Sequence, residues 1–311
     1  MKLSRFRKML NKFTQADGRD ELITRLTSGL YENPLVRKVV GLFYASNKEP
    51  EQWVFLLGCY NSGTTILRDV LGSHPSIGTM PREGVKLTNV FPTPEKLGWY
   101  RMTSRCPAGA MIPEMTDAVS VRESLVKDWA PWLNSGKPVF LEKSITHAAR
   151  LDWLRTVFPD AKFIVIHRDG YSSAEGIQRK ARAVGVAKIE LGQELYPISD
   201  CAQEWSQLNS NLLSFSEKNN DIDVKILTYE KLCASPSSEI ASLFEFVGVS
   251  LDAFKVVDEK TVLVGKRTFE IKNMNERSHK RLSNQDYQDI NDVAGDTLRQ
   301  LGYFRGVLEN G

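Results

Sequence analysis

Metal-ligand spacing is missing from this sequence. Its histidines are His74, His147, His167 and His279, and no H-E-x-x-H pattern joins them. Paired cysteines are missing too: Cys59, Cys106, Cys201 and Cys233 are scattered, with no C-x-x-C. That spacing argues against a disulfide framework or a zinc site and suits a reducing compartment. No apolar run is long enough to span a bilayer. The first residues lack the apolar core and small-residue cleavage site of a signal peptide. A cytoplasmic protein is the expectation. A net charge of +3 is too small to argue for nucleic acid. Internal repeats and low-complexity linkers are absent. What remains is ordinary: 311 residues, 41% hydrophobic and 25% charged, enough for one large α/β domain or two small ones.

The most informative stretch runs from Val54 to Leu71. Val54–Leu57 is too short for a helix and suits a strand buried on both faces. A small-residue turn follows. From Thr64 onward, Ile66, Leu67, Val70 and Leu71 fall at helical spacing, with Gly72 and Pro75 as the stop. Strand, glycine turn and helix start together make an anion site, because amides converge there and the helix dipole favours negative charge. Gly58 and Gly63 have the separation of a Walker A loop, but Thr64 stands where its Lys should be. That Lys carries β- and γ-phosphate charge. Its absence favours a nucleotide with a smaller 5′-anion over a triphosphate. A tight turn with no ligand is the plainer alternative.

Ser62-Gly63-Thr64-Thr65, a leucine-bearing helix and then His74-Pro75 resemble the 5′-phosphosulfate loop of the sulfotransferase family. The resemblance implies 3′-phosphoadenosine 5′-phosphosulfate as donor, held by Asn61, Ser62, Gly63, Thr64 and Thr65. Many members carry Lys or Arg where Asn61 stands. Asn can hydrogen-bond a sulfuryl oxygen but brings no charge, so another cation must offset the charge developing on the bridging oxygen. A second match runs from Leu151 through Phe158-Pro159 and a buried strand over 161–167 to Arg168-Asp169-Gly170. It implies that Arg168 binds the donor's 3′-phosphate, a task its planar fork suits; a structural ion pair is the alternative. Where relatives place a phosphate-binding Ser, this chain has Gly176, so Ser172 or Ser173 substitutes or the contact is lost. A third match spans a strand read over 224–232, containing Tyr229-Glu230, and continues through Pro236 to Gly248. It is mostly structural.

The resemblance also supplies catalytic candidates. Glu83 falls about where protein-tyrosine sulfotransferases carry an acidic base, allowing a one-residue insertion. A base is needed because a hydroxyl's own pKa lies far above neutral. A surface Glu is the alternative. Glu142-Lys143-Ser144, at the polar end of a second buried strand, resembles an element of carbohydrate sulfotransferases. Lys143 is the candidate for the cation missing at Asn61; an exposed strand-end Lys is the alternative. His147 is either a base or a structural helix-start residue. Lys266 and Arg267, with Lys272, match loosely a basic loop over the 3′-phosphate, with a solvated loop as the equal alternative. Arg179, Lys180 and Arg182 line the acceptor side or are solvated. Trp99, Tyr100, Trp129 and Trp132 wall an acceptor pocket or belong to the core.

Residues 1–50 read as a basic helical extension, with Phe6, Met9, Leu10 and Phe13 on one face. Packing on the domain is favoured over membrane contact through residues 1–13. Residues 51–311 read as a sulfotransferase domain of α/β class, three-layered, with helices on both faces of a central parallel sheet. The implied reaction moves a sulfuryl group to an acceptor hydroxyl, first of all a carbohydrate's, without a metal. Lipid, small-metabolite and tyrosyl acceptors stay open. So do a catalytically inactive nucleotide-binding scaffold and, further off, a P-loop kinase.

Overall fold

The computed structural model describes residues 49–114, 117–133, 136–218 and 223–306, together with Asn33 and Leu35. Almost all of the expected basic extension, including residues 1–13, lies outside the described residues. In chain order the elements are β1 (Gln52–Gly58), α1 (Thr64–Leu71), β2 (Ile77–Thr79), α2 (Ala118–Leu133), β3 (Val139–Lys143), α3 (Leu151–Val157), β4 (Lys162–His167), α4 (Gly170–Lys180), α5 (Val186–Leu191), α6 (Ile198–Lys218), β5 (Val224–Thr228), α7 (Tyr229–Ala234), α8 (Pro236–Val247), β6 (Phe254–Val256), β7 (Thr261–Val264), β8 (Arg267–Glu270), α9 (Asn275–His279) and α10 (Asn284–Gln300).

β1 to β5 form a parallel sheet in the order β2-β3-β1-β4-β5, with Val54 opposite Leu141 and Lys162. Alternation along the strands sends side chains to opposite faces. Trp53, Phe55, Leu57, Phe140 and Phe163 join one core with residues of α2, α3, α4, α6 and α10. Val54, Leu56, Leu141, Ile164 and Ile166 join the other with α1, α7, α8 and the small β6–β8 sheet. Three layers follow, with helices on both faces. The helices leaving β1 and β4 therefore lie on opposite faces, which opens a crevice at the carboxyl ends of these neighbouring strands, where such sheets bind ligands.

Three local readings change. The strand expected over 224–232 stops at Thr228, whose hydroxyl accepts from Lys231 N at 3.2 Å and caps α7. Residues 118–133, where the sequence carries few regular signals, form α2 and bury Leu125, Trp129 and Leu133. Residues 254–270 form an antiparallel three-stranded meander. Trp129 is core, as is Trp99.

Candidate active site

The turn after β1 is shaped by close approach. A Cβ on Gly58 would meet Ser62 Oγ at 2.7 Å and the Ile166 carbonyl at 2.8 Å, so only glycine lets β1 end against β4. Gly63 has φ 97° and lies against the Tyr229 ring, where a Cβ would stand 2.8 Å away. Ser62 Oγ donates to the Cys59 carbonyl at 2.7 Å, and the side chain is buried. Its hydroxyl closes the turn and does not line the cleft. Asn61, Gly63, Thr64 and Thr65 do.

Arg168, at the end of β4, is held from three sides. Its Nε donates to Asn275 Oδ1 at 2.8 Å, its Nη1 donates to the Asn61 carbonyl, and its guanidinium lies 4.1 Å from the Tyr229 ring centroid. Glu230 fixes Asn275 in turn, accepting from its Nδ2 at 2.6 Å. Tyr229-Glu230, which read as structural in the sequence, is thus the support of Arg168. Asp169 caps α4, accepting from the amides of Tyr171 and Ser172 and from Ser172 Oγ. Burial pushes its carboxyl up, but His279 Nε2 at 2.7 Å and hydrogen bonds from Ser172 outweigh burial and hold it below the usual carboxylate value. The first amides of α4 are therefore already occupied. Ser172 lines the cleft with its hydroxyl turned to Asp169; Ser173 is buried behind it and takes no part in the lining.

The end of β3 builds the opposite wall. Glu142 is fully buried and accepts from Gly84 N at 2.9 Å and from Ser144 Oγ. Ser144 Oγ accepts from Val85 N at 3.2 Å. The loop carrying Glu83 is thereby tied to β3, and Lys143 Nζ lies 2.8 Å from Glu83 Oε1. His147 Nε2 stands 3.0 Å from Glu142 Oε2, an ion-pair distance without hydrogen-bond alignment. Burial raises the Glu142 carboxyl, yet His147, Ser144 and Gly84 together hold it below its usual value. Arg150, beside this group, is lowered to about 10 by burial. His147 is buried in this network and does not line the cleft.

A cleft of about 500 Å³ joins the two walls. It brings together Asn61, Gly63, Thr64, Thr65, Glu83, Lys143, Arg168 and Ser172. Lys266 and Arg267 are not among its lining. Their turn packs on the far end of α1, where a Cβ on Gly265 would stand 2.5 Å from the Ser73 carbonyl, roughly 12 Å along the helix from the anion loop. Arg277, Ser278 and Arg281 face the cleft instead. In the sequence Arg277, Lys280 and Arg281 form only a short basic run, too common a pattern to single out. Arg101 lines it as well, with its guanidinium 5.4 Å and 5.6 Å from the Tyr60 and Tyr100 ring centroids and φ 61°.

Residues 53–253 match the profile of a family described as the sulfotransferase family. The chain is 31% identical over 192 residues to protein-tyrosine sulfotransferase 1 of Mus musculus, an alignment covering 57% of this chain and 47% of that protein. It is 25% identical over 284 residues to nodulation protein NoeE of Sinorhizobium fredii, covering 81% of this chain and 66% of that one. The chain thus spans about half the length of the mouse relative. The crystal structure of sulfotransferase STF9 from Mycobacterium avium matches with a TM-score of 0.47 at 14% identity, over 86% of this chain and 80% of that chain.

Proposed function

The chain belongs to the sulfotransferase family, and on that premise we propose that it transfers a sulfuryl group from 3′-phosphoadenosine 5′-phosphosulfate to an acceptor hydroxyl. The observation that carries this reading is the meeting, in one cleft, of the glycine turn 61–65, Arg168 and the Glu83–Lys143 pair. In this reading the amides and threonine hydroxyls of Gly63–Thr65 hold the 5′-phosphosulfate, and Arg168 holds the 3′-phosphate. Glu83 takes the acceptor proton. Lys143 orients Glu83 and adds positive charge at the acceptor end. Catalysis then rests on positioning and electrostatics.

A sugar hydroxyl is our acceptor assignment. The Glu142-Lys143-Ser144 element supports it, and the polar lining around Glu83 and Lys143 suits a polar acceptor better than an apolar one. A cytoplasmic location fits four cysteines without disulfides. Among the described residues no helix is long and apolar enough to cross a membrane.

Calorimetric titration with adenosine 3′,5′-bisphosphate, with ADP in parallel, tests the donor assignment. Tight binding of the bisphosphate and weak binding of ADP is expected. Preference for ADP would return the site to a P-loop kinase, and binding of neither would leave an inactive scaffold. A labelled-donor screen over sugars, tyrosyl peptides and lipids then tests the acceptor; transfer to peptides and not to sugars overturns the carbohydrate assignment.

A further inference from the structure

Two positions depart from the sulfotransferase pattern, Asn61 in place of a loop cation and Gly176 in place of a serine, and the fold sets them against each other. A Cβ on Gly176 would stand 2.9 Å from Asn61 Cγ and 3.0 Å from Nδ2, closer than side chains pack. Asn61 has φ 64°, in the left-handed region that Asn enters more readily than most residues. Its side chain fills the space that a residue larger than glycine at 176 would need. One turn further along α4, on the same side of the helix, Lys180 reaches the gap: its Nζ donates to Asn61 Oδ1 at 2.6 Å. Lys180 lines the cleft beside Thr64, Thr65 and Arg168. Partial burial, and then Arg101, Arg179 and Arg168, push its ammonium below the usual lysine value. Cations gathered in this way favour an incoming anion. Lys143, by contrast, already has Glu83 at 2.8 Å.

We propose that Lys180 is a catalytic residue which supplies, from α4, the cation that the anion loop lacks, with Asn61 as its positioning residue. This rests on the donor reading above. In the step it serves, the bond between the sulfuryl sulfur and the donor's bridging oxygen breaks. A bond from sulfur to the acceptor oxygen forms, and the acceptor proton passes to Glu83. The electron pair of the broken bond stays on the 5′-phosphate oxygen of the departing adenosine 3′,5′-bisphosphate, and the Lys180 ammonium offsets that charge.

The test needs no knowledge of the natural acceptor. Single-turnover cleavage of labelled donor, with water as acceptor, is compared for the native chain, Lys180→Met, Lys180→Met with Asn61→Lys, and Arg182→Met. Arg182 is a fair control because it is not among the cleft's lining residues and it donates to backbone carbonyls at the end of α4. Lys180→Met is expected to slow cleavage about 100-fold, the scale of one lost oxyanion-stabilising donor, while affinity for the bisphosphate changes less than about threefold. Asn61→Lys in that background is expected to recover about tenfold, and Arg182→Met to match the native rate. Native-rate cleavage by Lys180→Met overturns the proposal. So does a slow variant that Asn61→Lys fails to recover and whose bisphosphate affinity falls in parallel, since Lys180 would then be a binding cation only. A native chain that does not bind the bisphosphate rejects the donor reading itself, and Lys180's role with it.

Discussion

The two ends of the cleft handle charge in opposite ways. At the proposed acceptor end each carboxylate has a partner: Glu83 has Lys143 at 2.8 Å, and buried Glu142 accepts from Gly84 N and Ser144 Oγ with His147 Nε2 at 3.0 Å. At the proposed donor end the hydrogen-bond and ring partners of Arg168, Lys180 and Arg101 are neutral: Asn275 Oδ1, the oxygens of Asn61 and the rings of Tyr229, Tyr60 and Tyr100. No ion pair involves these three among the described residues. Arg168, the buried one of the three, lacks a counter-charge, which is costly, and the Tyr229 face and the Asn61 carbonyl relieve that cost without cancelling the charge. In the proposed reading the donor end keeps a surplus of positive charge for an incoming anion, whereas the acceptor end is assembled beforehand. Sharing one cleft, the two ends use the same kinds of residue for different tasks.

Four measurements would break or sharpen this contrast. Glu83→Gln should lower turnover by about 10²- to 10⁴-fold, the range for a positioned general base, and leave bisphosphate affinity intact; equal losses of both would erase the division of labour. Glu142→Ala strands His147 and the Gly84 amide in the core, and should cost about 3–5 kcal/mol of stability in a denaturant titration. Native stability in that variant would mean that the acceptor end does not rest on this network. Arg168→Ala should weaken bisphosphate binding about 100-fold, or roughly 3 kcal/mol by calorimetry, with little change in thermal stability because its partners are neutral. A large drop in Tm with unchanged affinity would make Arg168 a structural residue.

The smallest effect concerns pH, and it separates two fully buried carboxyls. Glu142 is held below its ordinary 4.5 in spite of burial. Its contribution to stability is present above 4.5 and is lost as pH falls through the lower folded value. Glu204 accepts from Thr103 Oγ1 and Ser104 N, but these neutral donors do not offset burial, and its carboxyl is raised. Its contribution is present below 4.5 and is lost as pH rises through the raised value. Glu204→Gln should therefore gain stability relative to the native chain as pH rises through that window, read from Tm at a series of pH values; a constant difference would remove Glu204 as the cause.

Consecutive residues made part of this site readable. Val54–Leu71 specifies strand, turn and helix through its own apolar spacing and glycines, and Arg168 follows directly on a buried strand, so both halves of the proposed donor site were readable locally. The same local view misjudged details that depend on what a side chain meets. The Ser62 hydroxyl looks available in the sequence but is spent on Cys59. Ser173 looks equivalent to Ser172 but faces the core. Lys266 and Arg267 match a basic loop in composition, yet the β6–β8 meander carries them to the far end of α1, whereas Arg277 and Arg281 reach the cleft. α2 was hidden because its buried positions acquire meaning only against the sheet face of Trp53 and Phe140.

By itself, then, the sequence determined the strand–turn–helix anion loop, the alternation of buried strands and helices, and the arginine at the end of β4, because each depends on residues within a few positions of one another. Tertiary structure alone decided the pairing of Glu83 with Lys143 across 60 residues and the placing of Lys180 on Asn61 across 119. Those contacts follow from sheet order and from the space Gly176 leaves open, and no local pattern encodes either.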